Sequence, residues 1–186
     1  MVILFVLDGT LANCEHRRHF VDPNKNPDVV HGIPPNERTG GVMIMRDYHK
    51  TTGELWKPDW KSFYEACDQD EPIGPVINIL SDFIDDEYHS TEVQVWSGRC
   101  ESVREKTETW LKKYTSFGRM NCKVLKMRPI GDSTPDDELK MRWLDDHIAK
   151  GCEEIYFVFD DRPKVIRAWR KRGIFVFNCC QHDEEF

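Results

Sequence analysis

Four short motifs in this chain carry residue types able to hold and transfer a phosphoryl group. Asp8-Gly9-Thr10 closes an apolar run from Met1 to Leu7, so a buried strand delivers a carboxylate and a tight turn to one place. Ser97-Gly98-Arg99 offers a hydroxyl, a permissive backbone and a cation where an anion can dock. Lys140 adds a second cation, and Asp160-Asp161 follows the apolar stretch Ile155–Phe159. Two adjacent carboxylates at a strand end repel each other unless a cation or base stands between them. Phosphoryl transfer needs cations and fixed donors around the phosphate oxygens, and a proton donor for the leaving oxygen. This set contains all of them. Few ligands, all of them oxygen, suit Mg²⁺, which keeps much of its water.

Each motif also has a plainer reading. Asp160 or Asp161, just ahead of Arg162-Pro163, can cap a helix. Ser-Gly is a common turn, and a lone helical lysine is usually a solvated charge. Thr134 as N-cap, Pro135 at the first helical position and Asp137 two further on predict a helix start. Asp136 and Asp137 are then helix-dipole and capping residues rather than ligands. What favours a site is that the motifs fall at or near the ends of successive predicted strands.

Those strands are the β-branched or aromatic runs Glu92–Trp96, Cys122–Met127, Ile155–Phe159 and Ile174–Phe177, together with the first run. Between them, apolar residues recur at helical spacing: Val76, Ile77, Leu80, Phe83 and Ile84; Val103, Trp110, Leu111 and Tyr114; Leu139, Met141, Trp143, Leu144 and Ile148; Val165, Ile166 and Trp169. The alternation predicts an α/β fold, a parallel sheet with helices on both faces and ligands at the carboxyl ends of its strands. Residues 13–72 do not fit it, because they part the first strand from its helix by far more than an ordinary connection. Trp56, Trp60, Phe63 and Tyr64 are too apolar for a disordered linker. The segment reads as a cap over the strand ends, with turns at Gly40-Gly41 and Thr52-Gly53 and a short strand at Val42–Met45. The expected domains are a core of 1–12 and 73–186 and a cap insertion of 13–72.

At 186 residues, 39% of them hydrophobic, the chain suits one α/β domain with an inserted subdomain. No apolar run approaches the roughly 18–20 residues of a membrane span. The seven cysteines form no CxxC pair, so reduced thiols and a cytoplasmic setting are expected. A formal net charge of −7 argues against broad binding to a nucleic-acid backbone, and no extended duplex-binding surface is evident. Residues 14–60 are neutral, with seven Lys/Arg and seven Asp/Glu, so the deficit lies elsewhere. No Gly-x-x-x-x-Gly-Lys-Ser/Thr loop is present to imply a kinase.

The order Asp-Gly-Thr-Leu-Ala (8–12), Val-Trp-Ser-Gly-Arg (95–99), Gly-Asp-Ser-Thr-Pro-Asp-Asp-Glu-Leu-Lys (131–140) and Asp-Asp-Arg-Pro-Lys-Val-Ile-Arg-Ala-Trp (160–169) resembles the haloacid dehalogenase (HAD) superfamily of phosphatases. More narrowly, it is similar to the 3′-phosphatase domain of bacteriophage polynucleotide kinase. That similarity rests on Gly131-Asp132, on Asp136-Asp137 with Lys140, and on Asp160-Asp161-Arg162 with Trp169. It implies a HAD-type Rossmann-like core with a cap after the first strand, in a phage-encoded protein inside its host. It also implies hydrolysis of a phosphomonoester on a nucleotide or a nucleic-acid 3′ end. In the family an aspartate at the position of Val6 attacks phosphorus, and Asp8 protonates the leaving alcohol and then activates water. Mg²⁺ would be held by Asp8 and by Asp160 or Asp161, and the phosphate by Ser97, Gly98, Arg99, Lys140 and Arg162.

Valine has no lone pair with which to attack. A one-base substitution, a natural pseudoenzyme and direct attack by water are the explanations, in that order, since a lost nucleophile costs several orders of magnitude in rate. The chain as written is thus an inactivated or severely impaired phosphatase, or a module that binds phosphate or nucleotide without turnover.

In HAD enzymes the cap often chooses the substrate. The basic residues His16, Arg17, Arg18 and His19, and a second group of Arg46 and Lys50, are candidates to meet a phosphate, with a solvated basic patch as the alternative. Trp60 and its aromatic neighbours are candidates to stack on a base, or else form the cap's own core. Cys14, His16, His19 and His31 match no familiar zinc spacing. The oligomeric state is not legible.

Overall fold

A computed structural model describes residues 1–35, 44–85, 91–119 and 121–180. In chain order the elements are β1 (Val2–Val6), β2 (Ala12–Asn13), β3 (Val29–Gly32), β4 (Arg46–His49), α1 (Trp60–Glu65), β5 (Glu71–Pro72) and α2 (Gly74–Asp85). They continue as β6 (Glu92–Cys100), α3 (Arg104–Tyr114), β7 (Val124–Arg128), α4 (Asp136–Ala149), β8 (Ile155–Asp160), α5 (Pro163–Lys171) and β9 (Phe175–Asn178). The chain divides into two compact units, one of Met1–Asn13 with Asp70–Phe186 and the other of Cys14–Gln69.

The larger unit is built on a five-stranded sheet of order β7-β6-β1-β8-β9, every pairing parallel. All five residues of β1 are buried, as a continuous apolar run at the centre of a covered sheet must be. Side chains alternate between the two faces. Val2, Leu4 and Val6 join Trp96 and Val158 against Leu139, Trp143 and Leu144 of α4 and Val165, Ile166 and Trp169 of α5. On the other face Phe5 stacks on Phe159, with ring centroids 4.4 Å apart, and lies 6.4 Å from Phe83 of α2.

Two differences from the predicted boundaries bear on the site. β6 runs on to Cys100, carrying Ser97-Gly98-Arg99 inside the strand, and its register against β7 shifts between Ser97 and Cys100. The helix expected to start with Thr134 as N-cap begins at Asp136. The reason is local: Asp132 Oδ1 accepts from Thr134 N–H at 2.8 Å, and Arg128 Nη1 donates to the Thr134 carbonyl at 2.6 Å, which ties both groups outside the helix.

The smaller unit is a hairpin of β3 and β4, the short helix α1 and 3₁₀ turns at Glu15–Phe20, Pro23–Lys25 and Ala66–Gln69. Phe63, Cys67, Cys14 and Val29 are buried apolar residues of this unit. Arg17 is wholly buried, its guanidinium 4.1 Å from the Phe63 ring centroid and its Nη1 donating to the Phe63 carbonyl at 3.1 Å. Arg18 pairs with Glu15 at 2.8 Å and Asp22 at 3.1 Å. Both arginines thus bind parts of this unit together. Gly40-Gly41, Val42 and Met43 lie outside the described residues, and Ile44 and Met45 precede β4 rather than forming a strand. Gly53 does occupy a turn, at φ +71°. No described helix is long and apolar enough to cross a membrane.

Candidate active site

The centre of the larger unit's sheet hands the chain to a tight turn. The Leu7 carbonyl accepts from the N–H groups of Thr10, Leu11 and Ala12 at 3.3, 2.8 and 2.9 Å. Gly9 adopts φ +81°, and a Cβ there would overlap the Asp161 carboxylate, so this position tolerates only glycine. Thr10 Oγ1 donates to Asp161 Oδ1 at 2.9 Å, fastening the turn to the end of β8. Val6, 4% exposed, points into the apolar cluster beneath.

Asp8 is held from the side. Arg99 donates to Asp8 Oδ1 from Nε at 2.9 Å and from Nη2 at 2.6 Å. The same Nη2 donates to Asp70 Oδ2 at 2.6 Å, and the side chains of Arg99 and Asp70 are both fully buried. Asp70 is fixed in turn by Trp110 Nε1, which donates to its carbonyl at 2.7 Å. Ser97 is buried, and its Oγ accepts from Arg99 N–H at 3.1 Å.

Asp160 is saturated with donors. Lys140 Nζ and Trp169 Nε1 reach its Oδ2 at 3.1 and 3.0 Å, and Arg162 N–H reaches its Oδ1 at 3.0 Å. Asp161 is different: burial first, and then the charge of Asp160, push its carboxyl up to about 7, against the pull of Lys140 and Thr10. Burial and the same two carboxylates push the Cys179 thiol up to about 11, so it stays protonated at neutral pH. Among the described residues no three His, Cys, Asp or Glu side chains gather into a metal cluster. The donor chemistry still fits a hard cation held by one protein carboxylate and water. Asp161 is a buried carboxyl group that accepts from Thr10 and is pushed toward its protonated form, at a turn where glycine leaves room for it.

A second ionic group flanks the first. Arg128, the last residue of β7, donates to the Gly98 carbonyl at 3.0 Å and to Asp136, which also accepts from Arg162 Nη1. Asp137 pairs with Lys164 at 3.0 Å. Asp136 and Asp137 therefore serve ion pairs at the start of α4.

Of the residues singled out in the sequence, Asp8 meets Arg99, Lys140 meets Asp160, and Asp161 meets the Asp8–Thr10 turn; Arg162 turns its guanidinium to Asp136. His16, Arg17, Arg18, His19, Arg46 and Trp60 belong to the smaller unit. There His19 Nδ1 lies 3.0 Å from the His16 carbonyl, His31 pairs with Asp47 at 2.9 Å, and Trp60 is 50% exposed. Cys14, His16, His19 and His31 form no metal cluster among the described residues. Sequence reasoning missed Asp70 and Arg128, and gave Thr10 no role beyond its place in the Asp8-Gly9-Thr10 motif. Arg128 carried a usable signal, a charged residue closing a predicted strand.

Residues 55–184 match the family model of the polynucleotide kinase PNKP phosphatase domain. A protein of Autographa californica nuclear polyhedrosis virus that carries the name of a bifunctional polynucleotide kinase/RNA ligase is 33% identical over 138 residues, 72% of this chain and 19% of that protein. The fold also matches a chain of the Pnkp1/Rnl/Hen1 RNA repair complex, with TM-score 0.61 and 22% identity over 98% of this chain and 43% of that one. A haloacid dehalogenase-like hydrolase from Streptococcus pneumoniae matches with TM-score 0.52 and 13% identity over 95% and 83%. The chain spans about a fifth of the curated relative and under half of the repair-complex chain.

Proposed function

This chain belongs to the family of polynucleotide kinase PNKP phosphatase domains, and from that premise we propose that it is a phosphomonoesterase scaffold for nucleotide or nucleic-acid 3′-phosphate ends whose turnover is crippled at position 6. What supports this reading is that β1 ends in a buried valine, so no carboxylate stands two residues ahead of the Asp8 that Arg99 holds. The insertion of residues 14–69 serves as the cap.

In this reading the phosphoryl group sits at the carboxyl ends of β1, β6 and β8. Asp8 is the proton donor for the leaving alcohol and later the base for water. Its carboxylate is aimed by two N–H groups of one arginine, which limits its rotation before substrate arrives. Ser97, Arg99, Lys140 and Arg162 supply the hydroxyl and positive charge that balance the phosphate oxygens. Asp161 would hold Mg²⁺, with Asp160 kept in place beside it by Lys140 and Trp169. When bound, the cation screens phosphate charge and polarises its oxygens. With Val6 no aspartyl-phosphate forms, so binding is retained while hydrolysis falls by orders of magnitude.

The test is hydrolysis of nucleoside 3′- and 5′-monophosphates and a 3′-phosphorylated oligonucleotide, with Mg²⁺, by this chain and by Val6→Asp. Turnover by Val6→Asp alone supports an inactivated phosphatase, and the best substrate names its specificity. If neither turns over while phosphate still raises thermal stability, the chain is a binding module.

A further inference from the structure

We infer that Trp60, on the smaller unit, is a stacking platform for an unpaired base of a single-stranded nucleic acid. The aromatic group divides sharply: Phe63 is buried, whereas Trp60 leaves half its surface to solvent. Its indole is nonetheless braced. The Trp60 ring meets Phe63 edge to face at 5.7 Å and 84°, and lies 6.0 Å from Tyr64 at 30°. Phe63 is fixed from behind by Arg17, through both its ring and its carbonyl. Asp59 anchors the start of α1 by accepting from Ser62 N–H and Oγ at 3.0 and 2.7 Å.

A braced, exposed indole loses little freedom on stacking. Its chemistry is selective for flat π faces, which every unpaired base presents and a duplex hides. The nearest cations in sequence, Lys57 and Lys61, are both exposed and suited to the phosphodiesters on either side of a stacked base. The contact of Lys61 with Glu65, 3.8 Å between exposed ends, is too weak to withhold it. Flanking lysines argue against a protein partner, because lysine is depleted from the centres of protein interfaces. The inference rests on reading the chain as a protein of nucleic-acid ends, and adds that the polynucleotide is single-stranded and held partly by its base.

The experiment is fluorescence anisotropy of the full chain with labelled hexanucleotides at low salt: base-bearing, fully abasic and duplex forms, each with a 3′-phosphate or a 3′-hydroxyl. The base-bearing single strand should bind roughly 10-fold tighter than the abasic strand of equal charge. Trp60→Ala should erase that preference, and Trp60→Phe should keep most of it. The stacking proposal is overturned if Trp60→Ala, folded by circular dichroism, keeps the preference. It is also overturned if the unaltered chain binds no strand, ignores the bases, or takes the duplex equally well. Equal binding of 3′-phosphate and 3′-hydroxyl strands, with base preference still lost in Trp60→Ala, would remove the phosphate-end reading and leave the stacking role standing.

Discussion

Arg99 sets two nitrogens on one oxygen of Asp8, Nε at 2.9 Å and Nη2 at 2.6 Å, from a guanidinium with no solvent exposure. An exposed pair of this kind contributes little. Here the arginine is buried and the same Nη2 is also bound to the buried Asp70, so Asp8 is oriented by a group that cannot easily move. Asp8, the proton donor in the proposed reading, is thus held by an internal ionic chain rather than by solvent.

Restoring the missing carboxylate should trade stability for activity. Val6→Asp is expected to raise Mg²⁺-dependent hydrolysis of a 3′-phosphate by about 10⁴-fold. It should also lower unfolding free energy by about 1–3 kcal/mol, because a charge replaces a methyl pair in the apolar cluster shared with Trp96 and Trp169. A variant that turned over no faster than the parent would remove the inactivated-phosphatase reading.

Removing Asp70 leaves Arg99 buried with part of its charge uncompensated. Asp70→Ala should lose about 3–5 kcal/mol in urea unfolding. In the Val6→Asp background it should also depress kcat, since Asp8 loses its fixed support. A loss below 1 kcal/mol would show that Arg99 is held by other groups.

Asp161 titrates near 7 in the fold, against 3.8 for an ordinary aspartate. Between those values the folded chain keeps a proton that the unfolded chain has released. Stability from this group is therefore present below about pH 4 and lost as pH rises through 7. The urea midpoint of the parent should fall over that interval relative to Asp161→Asn. At pH 8, Mg²⁺ should raise the parent's midpoint but not the variant's. Parallel pH curves for the two proteins would contradict the buried, protonated state.

Gly9→Ala meets both a positive φ and the Asp161 carboxylate. Calorimetry should register a loss of at least about 2 kcal/mol. A neutral result would mean that the turn shifts away from β8 without penalty.

Trp169→Phe keeps the ring in the apolar cluster and deletes one N–H from Asp160. The expected cost is about 1.5–3 kcal/mol, the range for a hydrogen bond to a charged acceptor. Trp169→Phe as stable as the parent would show that Lys140 and the Arg162 amide alone satisfy that carboxylate.

The sheet was legible because β1 is an unbroken apolar run and the other strands alternate with helices of clear 3–4 spacing. The reach of β6 through Ser97-Gly98-Arg99 was not, since nothing local marks a strand there; its pairing with Met127 and Arg128 creates it. Asp8 and Asp160-Asp161 stand out in the sequence because charge at a strand end is costly without a purpose, whereas Lys140 lies on α4 and is marked only by its place in the motif order. Asp70 could not, because its partner lies 29 residues along the chain. The run of His16, Arg17, Arg18 and His19 looked like a solvated or ligand-facing patch, yet Arg17 is buried against Phe63, 46 residues along the chain, and Arg18 is paired locally with Glu15 and Asp22.

The seam between the two units falls between Gln69 and Asp70. The residue that steadies Arg99, and through it Asp8, therefore sits just beyond the inserted segment. Asp70 and Arg99 belong to one unit, so a change confined to residues 14–69 alters neither partner of that ion pair. On the proposed reading, the segment that selects the substrate and the pair that orients the proton donor are then inherited separately.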